Sequence, residues 1–184
     1  MNSADLFRDV CVRPGIFYLP DQGEDMTAWA VVACDQYTAQ KDVWESAYEY
    51  IGDQPSALKL IIPEAYLDES DERVPQIQET MKQYLADGIL QEAVNGMILV
   101  RRVTQSGARF GLVLTVDLEA YDFDAKSKSR IRPTEGTIVS RIPPRQKVRR
   151  GAQLELAHVL LLCDDVNRTI IEPIYEKRDS LRKL

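Results

Sequence analysis

Two spacings of apolar residues alternate along the first half of the chain: short continuous runs, and positions three or four apart. Ile16 to Leu19 is a short run before a Pro20-Asp21-Gln22-Gly23 turn. Trp29 to Cys34 (WAVVAC) reads as a buried strand, being continuous, apolar and too short for a helix. Trp44, Tyr48 and Ile51 share one face of a helix over 39–51, with Thr38 as its cap and Gly52 as its stop. Leu58 to Ile62 reads as a second strand, ended by Pro63. Val74, Ile77, Met81 and Leu85 then mark a helix over 70–86, with Pro75 in its first turns and Gly88 beyond its end.

In the second half, Met97–Val103 and Phe110–Leu118 flank Gln105-Ser106-Gly107-Ala108 as a β-hairpin, in which Gly111 marks a bulge or a close backbone approach. Pro144 opens a short helix ending at Gly151, and Leu154 to Cys163 reads as a strand. Pro173 is the first residue of a last helix that carries Ile174, Leu181 and Leu184 inward. That helix meets no stop signal, so the chain reads as cut rather than finished. The pattern predicts an α/β (or α+β) fold with a mixed sheet, a hairpin and flanking helices. It is expected to form a single domain over residues 1–184, truncated at its C-terminus and standing as the N-terminal part of a longer protein.

Composition narrows the class. A length of 184 residues is enough to bury a core without disulfide or metal staples, and nine Gly with nine Pro exclude collagen-like and low-complexity chains. No apolar run approaches the ~18–20 residues of a membrane span, and the opening MNSADLFRDVCV lacks the basic-then-apolar order of a signal peptide. Cys11, Cys34 and Cys163 are odd in number and never spaced C-x-x-C, which predicts a cytoplasmic protein with no membrane partner. Cys34 and Cys163 each close an apolar run and read as small buried hydrophobes. His158 is the only histidine, and its strand-like flanks make it a core or edge residue rather than a base or a zinc ligand.

Charge is unevenly spread. Residues 1–125 carry 9 basic and 22 acidic side chains, whereas residues 126–150 carry nine basic and one acidic, a net of +8. The overall charge of −6 therefore hides a concentrated cationic segment, which points to an anionic partner or to internal pairing with the acidic remainder.

No G-x-x-x-x-G-K-[ST], G-x-G-x-x-G or G-x-S-x-G motif is present. Three constellations remain. Asp35, Gln36 and Thr38 sit between the expected strand and helix, where ligands bind in open α/β sheets; helix capping by Asp35 and Thr38 is the alternative. The second is Asp117-Leu118-Glu119 with Asp122 and Asp124: Asp117 and Glu119, alternate residues of an expected strand, point the same way and suit Mg²⁺, or else these are exposed acids beside a basic segment. The third is Arg130, Arg132, Thr134, Glu135, Gly136, Thr137, Arg141 and Arg145, in which Pro133 and Gly136 shape a turn. Its arginines, hydroxyls and backbone donors suit a phosphate or carboxylate, with Glu135 as general base or as a clamp on an arginine.

The strings WAVVACDQYT, LKLIIPEAYL, VDLEAYDF, IRPTEGTIVSRIPPR and LLLCDDVNRTIIEP resemble the N-terminal part of a prokaryotic family of unknown function, DUF1015. ACDQYT (Ala33 to Thr38) and RPTEGTIVSRIPPR (Arg132 to Arg145) carry most of the likeness. Members continue past this length, which the resemblance makes a second reason to expect a longer protein. A further resemblance, to ParB-like proteins and their nucleotide-using relatives, rests on Thr134-Glu135-Gly136 with Arg141 and lacks the G-E-R-R arginine signature.

The expected function is binding of a small phosphate-bearing metabolite or nucleotide at 130–145, with phosphoryl transfer or hydrolysis as the reaction class if the protein is an enzyme. The rival is a non-catalytic regulatory module that binds DNA or a protein through the same basic face. Nucleic acid fits less well, because no aromatic residue interleaves the cations and a pI near 4.9 repels a long polyanion. A third reading has the protein's own C-terminal region cover the segment as an interdomain interface.

Overall fold

The computed structural model describes residues 10–31, 39–124, 126–133, 136, 138–156 and 158–184. In chain order the elements are strands β1 (Val12–Arg13) and β2 (Gly15–Pro20), then helices α1 (Met26–Trp29), α2 (Lys41–Ile51) and α3 (Ser70–Ala86). Strands β3 (Leu90–Gly96), β4 (Ile98–Thr104), β5 (Gly107–Val113) and β6 (Thr115–Val116) follow, and helices α4 (Ile142–Gly151) and α5 (Ile171–Glu176) end the chain. The class is mixed α/β. In place of one mixed sheet, the described residues form three two-stranded sheets, β1–β6, β2–β3 and β4–β5. The chain gathers into two compact units: residues 1–19, 92–136 and 160–184 form the first, and 20–91 with 137–159 the second.

The second unit holds the main apolar core. Trp44, Ala47 and Ile51 of α2 pack with Ala28, Leu58 and Tyr66. Beside them Ile77, Met81 and Tyr84 of α3 close on Leu60 and Leu90. The periodicity of α2 and α3 therefore points inward as the spacing predicts, and Gly52 at φ 50° and Gly88 at φ 73° end the two helices.

The two runs read as central strands behave otherwise. Asp25 caps α1, its Oδ1 accepting from Thr27 N–H at 2.8 Å, so Trp29 ends a helix instead of opening a strand; residues 32–34 of that run lie outside the described residues. Ser56 likewise accepts from Leu58 N–H at 3.2 Å and turns Ala57–Leu60 into a 3₁₀ helix. A capping oxygen just ahead of each apolar run redirects the backbone. Trp29 and Val31 of the first run and Leu58, Leu60, Ile61 and Ile62 of the second still pack into the core.

In the same unit α4 opens with Pro143 and Pro144 in its first turn and ends at Gly151. Gln78 of α3 donates to the Lys147 and Val148 carbonyls at 3.1 and 3.0 Å, and Lys147 pairs with Asp71 at 2.5 Å. Leu154 to Leu156 lie outside any strand, so the strand expected over 154–163 is absent from its described residues.

In the first unit, β4 and β5 form the expected hairpin in unbroken register from Ile98↔Val113 to Thr104↔Gly107. Gly107 adopts φ 124° and completes the turn after Gln105-Ser106. Gly111 stands opposite Val100 within the ladder, and a Cβ there would meet nothing within 4 Å. It marks neither a bulge nor a close approach. β5 ends at Val113 because Thr115–Val116 turn away to pair with β1. α5 opens two residues before Pro173, and its Tyr175 ring lies 4.0 Å from that of Phe110. Leu181 and Leu184, expected inward, are exposed beyond the end of α5, and Cys163 is exposed too, whereas Cys11 is buried.

Candidate functional site

The loop over 117–132 of the first unit braces itself with short-range hydrogen bonds. Asp117 N–H donates to the Cys11 carbonyl at 2.9 Å, carrying the loop onto Cys11, which stands at φ 60° before β1. The Asp117 carboxylate accepts from Glu119 N–H at 3.1 Å and starts a 3₁₀ turn over Leu118–Ala120. Asp122 accepts from Asp124 N–H at 3.0 Å, and Asp124 from Lys126 N–H at 2.9 Å. The Asp124 N–H and then the Ser127 hydroxyl hold the Asp122 carboxyl below the usual carboxylate range. A bridge between Tyr121 and Ile131 closes the loop, and the Ser129 hydroxyl reaches the Ala120 and Ile131 carbonyls.

This bracing leaves a concavity of about 490 Å³ lined by Cys11, Glu119, Tyr121, Asp122, Lys128, Ser129 and Arg130, with Ala120. Two cations and a carboxylate that caps nothing, Glu119, thereby face a space large enough for a small metabolite. The self-bonded Asp122 and Ser129 hold the walls.

Of the residues singled out in the sequence, Glu119 and Arg130 are brought together here. Asp117 and Glu119 do not lie on a strand as expected. The cap at Asp117 curls the backbone into a turn, so the parallel alignment assumed for Mg²⁺ is corrected. Among the described residues no group of three or more His, Cys, Asp or Glu is gathered to hold a metal ion. Arg132 donates from Nε to the Ser129 carbonyl at 2.9 Å, and Gly136 is exposed. Asp35, Gln36, Thr38, Thr134, Glu135 and Thr137 lie outside the described residues.

Arg141 and Arg145 belong to the second unit, and Arg141 is ion-paired with Glu64. Lys147 and Arg149 likewise have carboxylate partners, Asp71 and Glu155. Much of the cationic run in that unit is thus spent on internal pairing. Lys128, Ser129 and Tyr121 were missed in the sequence. Their only signal was the alternation of small polar and basic residues in Lys126-Ser127-Lys128-Ser129-Arg130, directly after the acidic group.

The fold and this loop define a mixed α/β protein with a concavity lined by charges of both signs in one of its two units. The model of a family described as "Protein of unknown function (DUF1015)" matches residues 18–182, and the chain belongs to that family. No curated protein and no solved structure matches it. Among the described residues no helix is long and apolar enough to cross a membrane.

Proposed function

We propose that the first unit binds a small phosphate-bearing metabolite or nucleotide in the concavity beside Lys128 and Arg130. The observation that carries this reading is the meeting of Arg130, from the basic segment, with Glu119, from the acidic group, across one 490 Å³ space. Arg130 offers forked hydrogen bonds to a phosphate and Lys128 a second charge. Glu119, an acceptor only, suits the hydroxyls of a sugar or ribose. Arg141, paired with Glu64 in the other unit, is left out of this reading.

Calorimetric titration with inorganic phosphate, ribose 5-phosphate and AMP tests the reading. The two sugar phosphates are expected to bind more tightly than phosphate alone. Lys128→Ala and Arg130→Ala each weaken them about tenfold, ~1.4 kcal/mol, while Arg145→Ala leaves them unchanged. Equal affinities in all three variants would place binding elsewhere. Absence of binding by every compound at millimolar concentration would end the proposal.

A further inference from the structure

Residues 160–164 (Leu-Leu-Leu-Cys-Asp) lie in no helix or strand, and among the described residues their backbone groups have no backbone partner. Leu160 and Leu162 are 86% and 84% exposed. A bare extended run of apolar residues marks an interaction surface rather than a resting state in water. In the same unit, β4 pairs with β5 on one side and with no described strand on the other, so one row of its donors and acceptors is open.

The hairpin over 98–113 also carries three arginines and no acid. Arg102 stands directly opposite Arg109, a destabilising like-charge pair. Among the described residues no ion pair engages Arg101, Arg102 or Arg109. An unpaired apolar segment ending in an acid and an open, apolar, arginine-bearing strand edge are complementary in pattern and in charge.

We infer that residues 160–164 of one copy add as a third strand to the open edge of β4 in a second copy, and the reverse. In parallel alignment Leu162 falls beside Leu99, Cys163 beside Val100 and Asp164 beside Arg101, so apolar meets apolar and acid meets base. An antiparallel alignment that keeps Asp164 beside Arg101 lays the leucines along Val103, Thr104 and the polar Gln105 instead. Asp165 stays out of the pairing, because its carboxylate already accepts from Thr169 and Ile170 N–H at 3.0 and 2.8 Å. Each copy carries both strand and edge, and reciprocal exchange about a twofold axis uses both and leaves nothing to propagate.

Sedimentation velocity of the 184-residue chain at tens of micromolar is the test, with circular dichroism confirming that each variant is folded. The chain is expected to sediment as a dimer. Arg101→Glu and Asp164→Arg, both on exposed positions, each give a monomer, and the two together in one chain restore the dimer. Leu160→Asp with Leu162→Asp gives a monomer as well. A monomeric wild-type chain, open-ended larger species, or a dimer untouched by Arg101→Glu and Asp164→Arg would overturn the inference.

Discussion

Ser56 is the joint of the second unit and the place where its energetics are most open to measurement. The residue is fully buried. Its N–H donates to the Tyr84 hydroxyl at 3.1 Å, and its own hydroxyl accepts from Leu58 N–H and approaches the Trp29 carbonyl at 3.4 Å. One side chain thus ties the end of α1 to the 3₁₀ helix, and its backbone ties both to α3. Ser56→Ala removes a cap, which costs about 0.5–2 kcal/mol. Leaving the buried Leu58 N–H unpaired pushes the expected loss to the upper part of that range, about 2 kcal/mol. Tyr84→Phe leaves the Ser56 N–H without an acceptor, and about 1–3 kcal/mol is expected. Both bonds converge on one residue, so the double variant should lose less than the sum of the two. Urea unfolding followed by tryptophan fluorescence suits the measurement, because the two tryptophans, Trp29 and Trp44, both belong to this unit. Burial raises the Tyr84 pKa, so the folded state holds its proton where the unfolded chain releases it. The stability this contributes is full below about pH 10 and falls as pH rises beyond it, and Tyr84→Phe should flatten that slope. A loss under ~0.5 kcal/mol for either single variant, or strict additivity, would refute the joint described here.

Arg141→Ala should lower stability by about 1–3 kcal/mol in urea, because it strands the Glu64 carboxylate, whose Oε2 is already buried without a hydrogen-bond partner. An unchanged midpoint would mean the ion pair is incidental. A Cβ on Gly151 would lie 2.7 Å from Gln78 Nε2, so Gly151→Ala displaces that amide from the Lys147 and Val148 carbonyls and costs about 1 kcal/mol. In a Gln78→Ala background the same change should become stabilising by up to ~1 kcal/mol, through helix propensity alone. Hydrogen bonding to Arg73 at 2.7 Å, with help from Lys41, lowers the Glu69 pKa. The stability it contributes is present above the usual carboxylate range and is lost as pH falls through the lowered value. Carboxyl-carbon NMR titration should show the Glu69 midpoint rise in Arg73→Gln, and an unmoved midpoint would remove the pairing.

Local sequence signals located α2 and α3 by their apolar spacing, the β4–β5 hairpin by its runs about Gln105-Ser106-Gly107-Ala108, and α4 by Pro144 and Gly151. α2 and α3 bury a face whose spacing is set by helix geometry, and each element carries its own boundary signal: Gly52 and Gly88 after the two helices, Gly107 in the hairpin turn and the Pro143-Pro144 pair at the start of α4. Short apolar runs carry no such period. Trp29 with its successors and Leu58 to Ile62 are as compatible with a buried 3₁₀ or helical turn as with a strand, and the choice falls to Asp25 and Ser56, which offer backbone donors a nearer partner. The charge map showed a cationic segment. Which of its members line a concavity and which answer an acid distant in sequence depended on packing: Arg130 and Lys128 line a concavity with Glu119, while Arg141 and Lys147 pair with Glu64 and Asp71. Residues 64 and 141 stand 77 positions apart, and no local pattern links them. Local order is written in the spacing of residues along the chain. Ion pairing depends on which distant residues the folded backbone brings within reach, and with it which cations of the basic segment are engaged by an acid.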